Sequence, residues 1–291
     1  MKIIASWSFE PWFKREGVTW EHTSEMLASA RAAIELANKT YDRPTLYVDS
    51  YGKYILEQLA PCAKYEVVYD DLYSNKMSPK LWAMSKVMSY ARQKEPFMHF
   101  DLDFLLKKRW PDKVFDCDIM FQSYEDLLSE KEAVKYFYNL PMVKQHYNLP
   151  VEMDHEEPNN IMGVNQGIYY ARNMEFNKRY TDMSLRLVED HLPLFGTDKG
   201  LDMCVVEQHV LGLLIHATPS LKVNTIRPTG WEHDMWDEYY MHFVGANYKG
   251  PRYKSAQILR KKVLGPWVND TVKRLANEIQ NERIKRERKL S

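Results

Sequence analysis

The sequence predicts an α/β protein built on a doubly wound, mostly parallel sheet flanked by helices, with a helical insertion and further helices at the C-terminal end. Two patterns carry that expectation. Short apolar runs (Lys2 to Ser8, Thr45 to Asp49, Tyr65 to Tyr69) alternate with stretches of helical spacing through the first part of the chain. From Tyr124 to Asn160 the pattern changes to one helix, Glu125 to Tyr138, followed by Pro141, Pro150 and the acidic loop EMDHEEPNN, which reads as an insertion or lid.

The elements follow in order. Lys2 to Ser8 is a short strand, and Trp7, Trp12 and Phe13 beside it either line a pocket or cap the core. Thr23 to Leu36 carries helical spacing, with Thr23 or Ser24 as N-cap and Glu25 in the first turn. Thr45 to Asp49 is a strand closed by Ser50, Tyr51 and Gly52; Ile55 to Leu59 is a brief helix, and Tyr65 to Tyr69 a strand ending on Asp70 and Asp71. From about Pro79 to Arg92 a helix presents Leu81, Met84, Met88 and Ala91 as its buried stripe, with Trp82 and Lys86 on a neighbouring face. Phe97 to Phe100 and Asp118 to Ser123 are strands around a polar turn at Lys107 to Lys113.

Val164 to Arg172 is a strand with Gly167 near its start, where a glycine permits close approach of a ligand or marks a bulge. Phe176 to His191 and Asp202 to Ile215 are helices, the second carrying Glu207, Gln208 and His209 among valines. Three adjacent polar residues on a helix face three directions, so one or two of them enter a site at most. Leu221 to Ile226 and Tyr239 to Val244 are late strands around a piece with Trp231, Glu232, His233 and Trp236, and Pro266 opens the last helix. This gives one domain over residues 1–250, with 124–160 as its insertion or lid, and a helical extension over 251–291.

Composition sets outer limits. The 291 residues suffice for a sizeable core, and 40 basic residues balance 40 acidic ones, so no global field draws the protein to nucleic acid or a membrane surface. Three widely spaced cysteines without a CxxC pattern suit a reducing compartment. No window reaches the apolar length of a bilayer span, and the start of the chain turns polar too soon for a signal peptide, so the expected location is cytoplasmic.

The chemistry concentrates in PFMHFDLDFLL, residues 96–106. Phe97 to Phe100 reads as a central strand, and in open α/β sheets ligands bind where strands end. Asp101 and Asp103 stand there, on one side if the chain is still extended. Two adjacent carboxylates repel, and a divalent cation relieves that repulsion and can hold a diphosphate, which Lys86 could also meet. The plain alternative is a strand-ending turn with solvated carboxylates. Asp116 and Asp118 precede their apolar run, the wrong end for a ligand site. The cluster Asp154, His155, Glu156 and Glu157 reads as an exposed charged loop, since consecutive residues rarely converge on one ion.

Taken together, four segments resemble the metal-dependent glycosyltransferases of the Rossmann-like GT-A fold, and among them the glycogenin and lipooligosaccharide galactosyltransferase group. Asp101 and Asp103 look like its DxD, Asn165 and Gly167 like its NxG strand, Glu207 and Gln208 like its acidic-Gln helix, and His242 with Gly245 like its HxxG. The resemblance spans about residues 78–250. It implies that Asp101, Asp103 and His242 bind manganese or magnesium, which holds the diphosphate of a nucleotide sugar, and that the transfer retains anomeric configuration. Asn165, Gly167, Gly245 and Lys249 would contact the donor, with Lys86 beside them and Trp7 available to stack on its base; Glu207 and Gln208 would be the catalytic pair. Lys249 lies four residues after Gly245 where the family usually has three, and His209 replaces an acidic residue. The acceptor is a hydroxyl on a glycan, lipid, protein or modified nucleic acid. A metal-dependent phosphohydrolase or nuclease could also use paired aspartates at a strand end, and a binding module could keep the fold without turnover.

Overall fold

The computed structural model describes residues 1–13, 20, 22–72, 77–78, 80–125, 163–192, 203, 205–227, 238–243 and 251–290. In chain order the elements are strand β1 (Lys2–Trp7), helices α1 (Phe9–Phe13) and α2 (Thr23–Thr40), β2 (Thr45–Val48), α3 (Ser50–Leu59), β3 (Lys64–Val67), α4 (Met84–Ala91), β4 (Phe97–Phe100), β5 (Phe104–Leu106), β6 (Ile119–Glu125) and β7 (Gly163–Ala171). Then come α5 (Met174–His191), a π-helical turn (Val205–His209) running into α6 (Val210–His216), β8 (Val223–Thr225), β9 (Tyr240–His242), α7 (Pro251–Leu264) and α8 (Asp270–Leu290). The class is α/β, mostly parallel and flanked by helices, as the alternating pattern predicts. Among the described residues no helix is long and apolar enough to cross a membrane. Glu125, the expected start of a helix, ends β6 instead, and the rest of that helix over 126–138 and the 154–157 loop lie outside the described residues.

The chain forms two compact units. One comprises Ile3–Tyr69, Asp101–Trp110 and His233–Ser291. Here β1, β2 and β3 pair in parallel, and β5 pairs antiparallel with β9 in a separate two-stranded sheet. All four residues of β2 are buried, which is why it reads as a continuous run rather than an alternating one. Helix α2 is rich in alanine, and Leu27, Ala28, Ala30, Ala33, Ile34 and Ala37 are fully buried along it.

Three helices of this unit differ from expectation in their boundaries. Helix α2 starts on backbone hydrogen bonds from Glu25 and Met26 to the His22 carbonyl, so Thr23 is its first residue rather than its cap. It runs on to Thr40, whose hydroxyl donates to the Leu106 carbonyl at 3.0 Å. Helix α3 begins at Ser50 because Asp49 caps it, accepting from the Gly52 amide at 2.6 Å. Pro266 lies in a 3₁₀ turn (Gly265–Trp267), and α8 starts after Asn269, whose side chain accepts from the Val272 amide at 3.0 Å. Val272, Leu275 and Ile279 of α8 are fully buried, and the helix packs on α2 and α3.

The other unit comprises Met1–Lys2, Asp70–Phe100 and Pro111–Glu232. Its strands follow the order β4, β7, β6, β8, with β7 antiparallel to both neighbours and β6 parallel to β8. Between β6 and β7 the register shifts: Phe121 faces Tyr169 while Ser123 faces Asn165, so Gln166 to Ile168 stand against Gln122 alone and β7 carries two extra residues. Gly167 therefore marks a bulge. Helix α4 buries Met84, Ser85, Lys86, Val87, Ser89 and Tyr90, while Met88 is only half-buried and Ala91 is exposed. Its buried face is rotated from the apolar stripe because Lys86 finds a counterion inside.

Candidate functional site

In the unit that holds β5 and β9, the turn after β4 brings the aspartates together. The chain is not extended there: Phe104 N donates to the Asp101 carbonyl at 2.9 Å, closing a turn over Asp101 to Asp103. The Leu102 carbonyl accepts from the hydroxyl of Ser29, which is fully buried on α2, at 3.0 Å. The Asp103 carbonyl accepts from Phe243 N at 3.0 Å. Three successive carbonyls are thus fixed, and the carboxylates project from a held frame.

His242 reaches this turn because β9 pairs with β5 in the register Phe104 opposite His242. Fully buried Phe104 stacks on Tyr240 at 4.8 Å and an interplanar angle of 6°, and lies 5.2 Å from the His242 ring. These contacts set the imidazole so that Nε2 stands 3.2 Å from Asp103 Oδ1. One ligand atom from each of Asp101, Asp103 and His242 lies within 4.8 Å of the others; the aspartates are half-buried and His242 is 8% exposed. The donor set fits a hard or borderline divalent cation, two carboxylate oxygens with one imidazole nitrogen. A separation of 3.2 Å is close to the edge of an octahedron with bonds of about 2.2 Å.

Trp7 ends β1 in the same unit. Its half-buried indole stacks on Phe9, centroids 4.8 Å apart and 19° between planes. Buried Asp49 ties the junction of β1 and α1 to the start of α3, accepting from Ser8 Oγ at 2.8 Å and from the Phe9 and Gly52 amides at 2.6 Å each. Gly52 is required by that approach, since a Cβ there would meet Asp49 Oδ1 at 2.9 Å.

In the other unit a second group surrounds Glu207. Lys86 is 7% exposed and its ammonium is 2.6 Å from Glu207 Oε1 and 3.3 Å from the Gln166 carbonyl; Glu207 is 1% exposed. Gln208, next to it on the π-helical turn, is half-buried. Asn165 accepts from the Gly167 amide at 2.9 Å, a local turn that shapes the bulge. Fully buried His99 is held well below the usual histidine range, first by burial and then by the Lys86 charge. Burial likewise pushes His209 down to about 4, so the histidine following Glu207 and Gln208 is neutral at ordinary pH.

Gly245 and Lys249 lie outside the described residues. Asp116 bonds Lys222 at 2.8 Å and lies 3.6 Å from Arg172, and Asp118 accepts from the Lys222 amide at 2.9 Å, so that pair is engaged on the surface. Sequence reasoning passed over Gln166, which lies between the two motif residues and whose side-chain amide donates to the Glu207 backbone carbonyl at 2.7 Å. A polar residue at the centre of an apolar strand was the available signal.

Residues 1–253 match the model of a family described as being of unknown function, DUF6734. No curated protein matches the chain. Similar solved structures include mouse xyloside xylosyltransferase 1 in its apo form, at 13% identity and a TM-score of 0.41, covering 77% of this chain and 84% of that one. Another is the galactosyltransferase LgtC in complex with donor and acceptor sugar analogs, at 10% identity and a TM-score of 0.41, covering 77% and 73%. A third is the bifunctional glycosyltransferase WbbM in its apo form, at 12% identity and a TM-score of 0.41, covering 90% of this chain and 44% of that one.

Proposed function

We propose that this chain, which belongs to the family of unknown function DUF6734, is a glycosyltransferase that moves a sugar from a nucleoside diphosphate sugar to a hydroxyl acceptor with a divalent cation, Mn2+ or Mg2+. The observation that carries the reading is the convergence of Asp101, Asp103 and His242, three ligand types suited to such a cation, from a DxD turn and a strand about 140 residues downstream. The frame of three hydrogen-bonded carbonyls favours a role that needs fixed carboxylates over a solvated turn.

Each residue has a task in this reading. Asp101, Asp103 and His242 hold the cation, which when bound offsets charge on the departing nucleoside diphosphate. Trp7 offers an aromatic face to the base. Asn165, Gly167, Glu207 and Gln208 contact the transferred sugar, and Lys86 acts on it through Glu207, to which its ammonium is bonded. Gly245 and Lys249 complete the donor contacts. The reaction retains anomeric configuration, so no enzyme base is dedicated to the acceptor.

The test is a thermal-shift screen of nucleotide sugars with and without Mn2+. A matching donor at about 100 times its dissociation constant adds about 3 kcal/mol of stability, and only when Mn2+ is present. Asp103→Asn should abolish that increment while keeping the metal-free melting temperature near wild type. Equal stabilisation by Mn2+ without any nucleotide sugar, or phosphate release without sugar transfer, would count for a phosphohydrolase instead.

A further inference from the structure

We infer that Gln166 is a positioning residue that fixes Glu207 for the donor, holding it at both its backbone and its side chain; this rests on the reading of Glu207 as a sugar contact. Its starting point is the π-helical turn Val205–His209. Such a turn breaks the i to i−4 hydrogen-bond ladder, so its carbonyls need other partners, and π turns recur at functional positions. Here side chains supply them. Ser184 Oγ donates to the Val206 carbonyl at 3.0 Å, Tyr180 OH to the Glu207 carbonyl at 2.9 Å, and Gln166 Nε2 to the same carbonyl at 2.7 Å. Gln166, Tyr180 and Ser184 are at most 1% exposed, so water does not compete for these bonds.

Gln166 also reaches the Glu207 carboxylate. Its backbone carbonyl accepts from Lys86 Nζ at 3.3 Å, and the same ammonium lies 2.6 Å from Glu207 Oε1. One residue of β7 therefore holds residue 207 directly at its carbonyl and, through Lys86, at its side chain. The amide orientation follows, because only the NH2 end of Gln166 can face a carbonyl. The other carboxylate oxygen, Glu207 Oε2, is buried and has no hydrogen-bond partner among the described residues. A buried, unsatisfied carboxylate oxygen is costly, and a ligand that donates a hydrogen bond to it would offset that cost. The fitting ligand chemistry is a hydroxyl, as on the sugar of the donor. The bulge, in which Gln166 to Ile168 of β7 stand against Gln122 of β6, lets β7 turn Gln166 toward this helix turn while still pairing on either side.

The experiment compares Gln166→Met, which keeps the side-chain length but removes its donor, with Tyr180→Phe and the double variant in the full chain. On a nucleotide sugar that the wild type turns over, Gln166→Met should lower kcat about 10- to 100-fold with donor KM within about threefold, since small misplacements cost that much. Tyr180→Phe should cost less, and the double variant should be non-additive because both bonds end on one carbonyl. Amide hydrogen exchange at residues 209–213 should quicken at least about tenfold in Gln166→Met relative to α5. A lower melting temperature with kcat and KM unchanged makes Gln166 a packing residue and overturns the inference, as does unchanged exchange. If the wild type turns over no nucleotide sugar, the transferase reading fails, and the exchange result alone then decides whether Gln166 holds Glu207.

Discussion

The Lys86 and Glu207 pair offers the sharpest energetic test. Nζ and Oε1 are 2.6 Å apart, with Lys86 7% and Glu207 1% exposed. At an effective dielectric of about 20 the attraction at that distance is about 6 kcal/mol, set against a desolvation cost of several kcal/mol for each ion. The net worth of the pair is therefore modest, but removing one partner strands the other. Lys86→Met keeps the length of the stem, so little cavity forms, and the expected loss of about 3–5 kcal/mol comes from the abandoned carboxylate. Glu207→Gln should cost a similar amount by stranding the ammonium. The double variant Lys86→Met with Glu207→Gln should cost less than the sum by at least about 2 kcal/mol. Urea denaturation of the four proteins gives the cycle. A single-variant cost below about 1 kcal/mol, or simple additivity, would refute the picture of a dry, mutually dependent pair.

Further outcomes follow from other residues. The folded His209 titrates at about 4 against 6.5 for an unperturbed histidine, so the unfolded chain takes up the proton first as pH falls. Its contribution is complete above about pH 6.5 and is lost toward about pH 4; at pH 5 about 2 kcal/mol is gone, and urea midpoints for His209→Gln should show a shallower pH dependence than wild type. Asp49→Ala removes the α3 cap and two further buried acceptor contacts, for an expected loss of about 3–5 kcal/mol by denaturant titration, with Asp49→Asn losing less. Phe104→Ala empties a fully buried, stacked position between β5 and β9 and should cost about 3–5 kcal/mol, weakening any Mn2+-dependent stabilisation along with it.

What the sequence shows and what it hides divide along physical lines. Phe97 to Phe100 and Val164 to Arg172 are legible as strands because they are buried on both faces, which writes a continuous apolar run. Asp101 and Asp103 are legible as a pair, but their convergence comes from a hydrogen-bonded turn rather than from strand alternation. Strand β5 hides because it is only three residues long, Phe104–Leu106, and its partner β9 is remote in sequence. The start of α3 hides behind Gly52, which looks like a breaker but is there to admit the Asp49 cap. Lys86 misleads the reading of α4 because its counterion lies 121 residues away, and the π-helical turn depends on side chains from β7 and α5 that no local pattern announces.

In the proposed metal site, the frame around Asp101 to Asp103 would bear on discrimination by ionic radius. Its three consecutive carbonyls are tied to Phe104, Ser29 and Phe243, so the loop has little freedom to dilate. Calcium needs oxygen distances of about 2.3–2.6 Å and a crowded shell of six to eight ligands, whereas magnesium accepts about 2.0–2.1 Å and keeps several waters. A turn that cannot spread and offers two carboxylates beside an imidazole would favour the smaller ions by refusing to expand around the larger one.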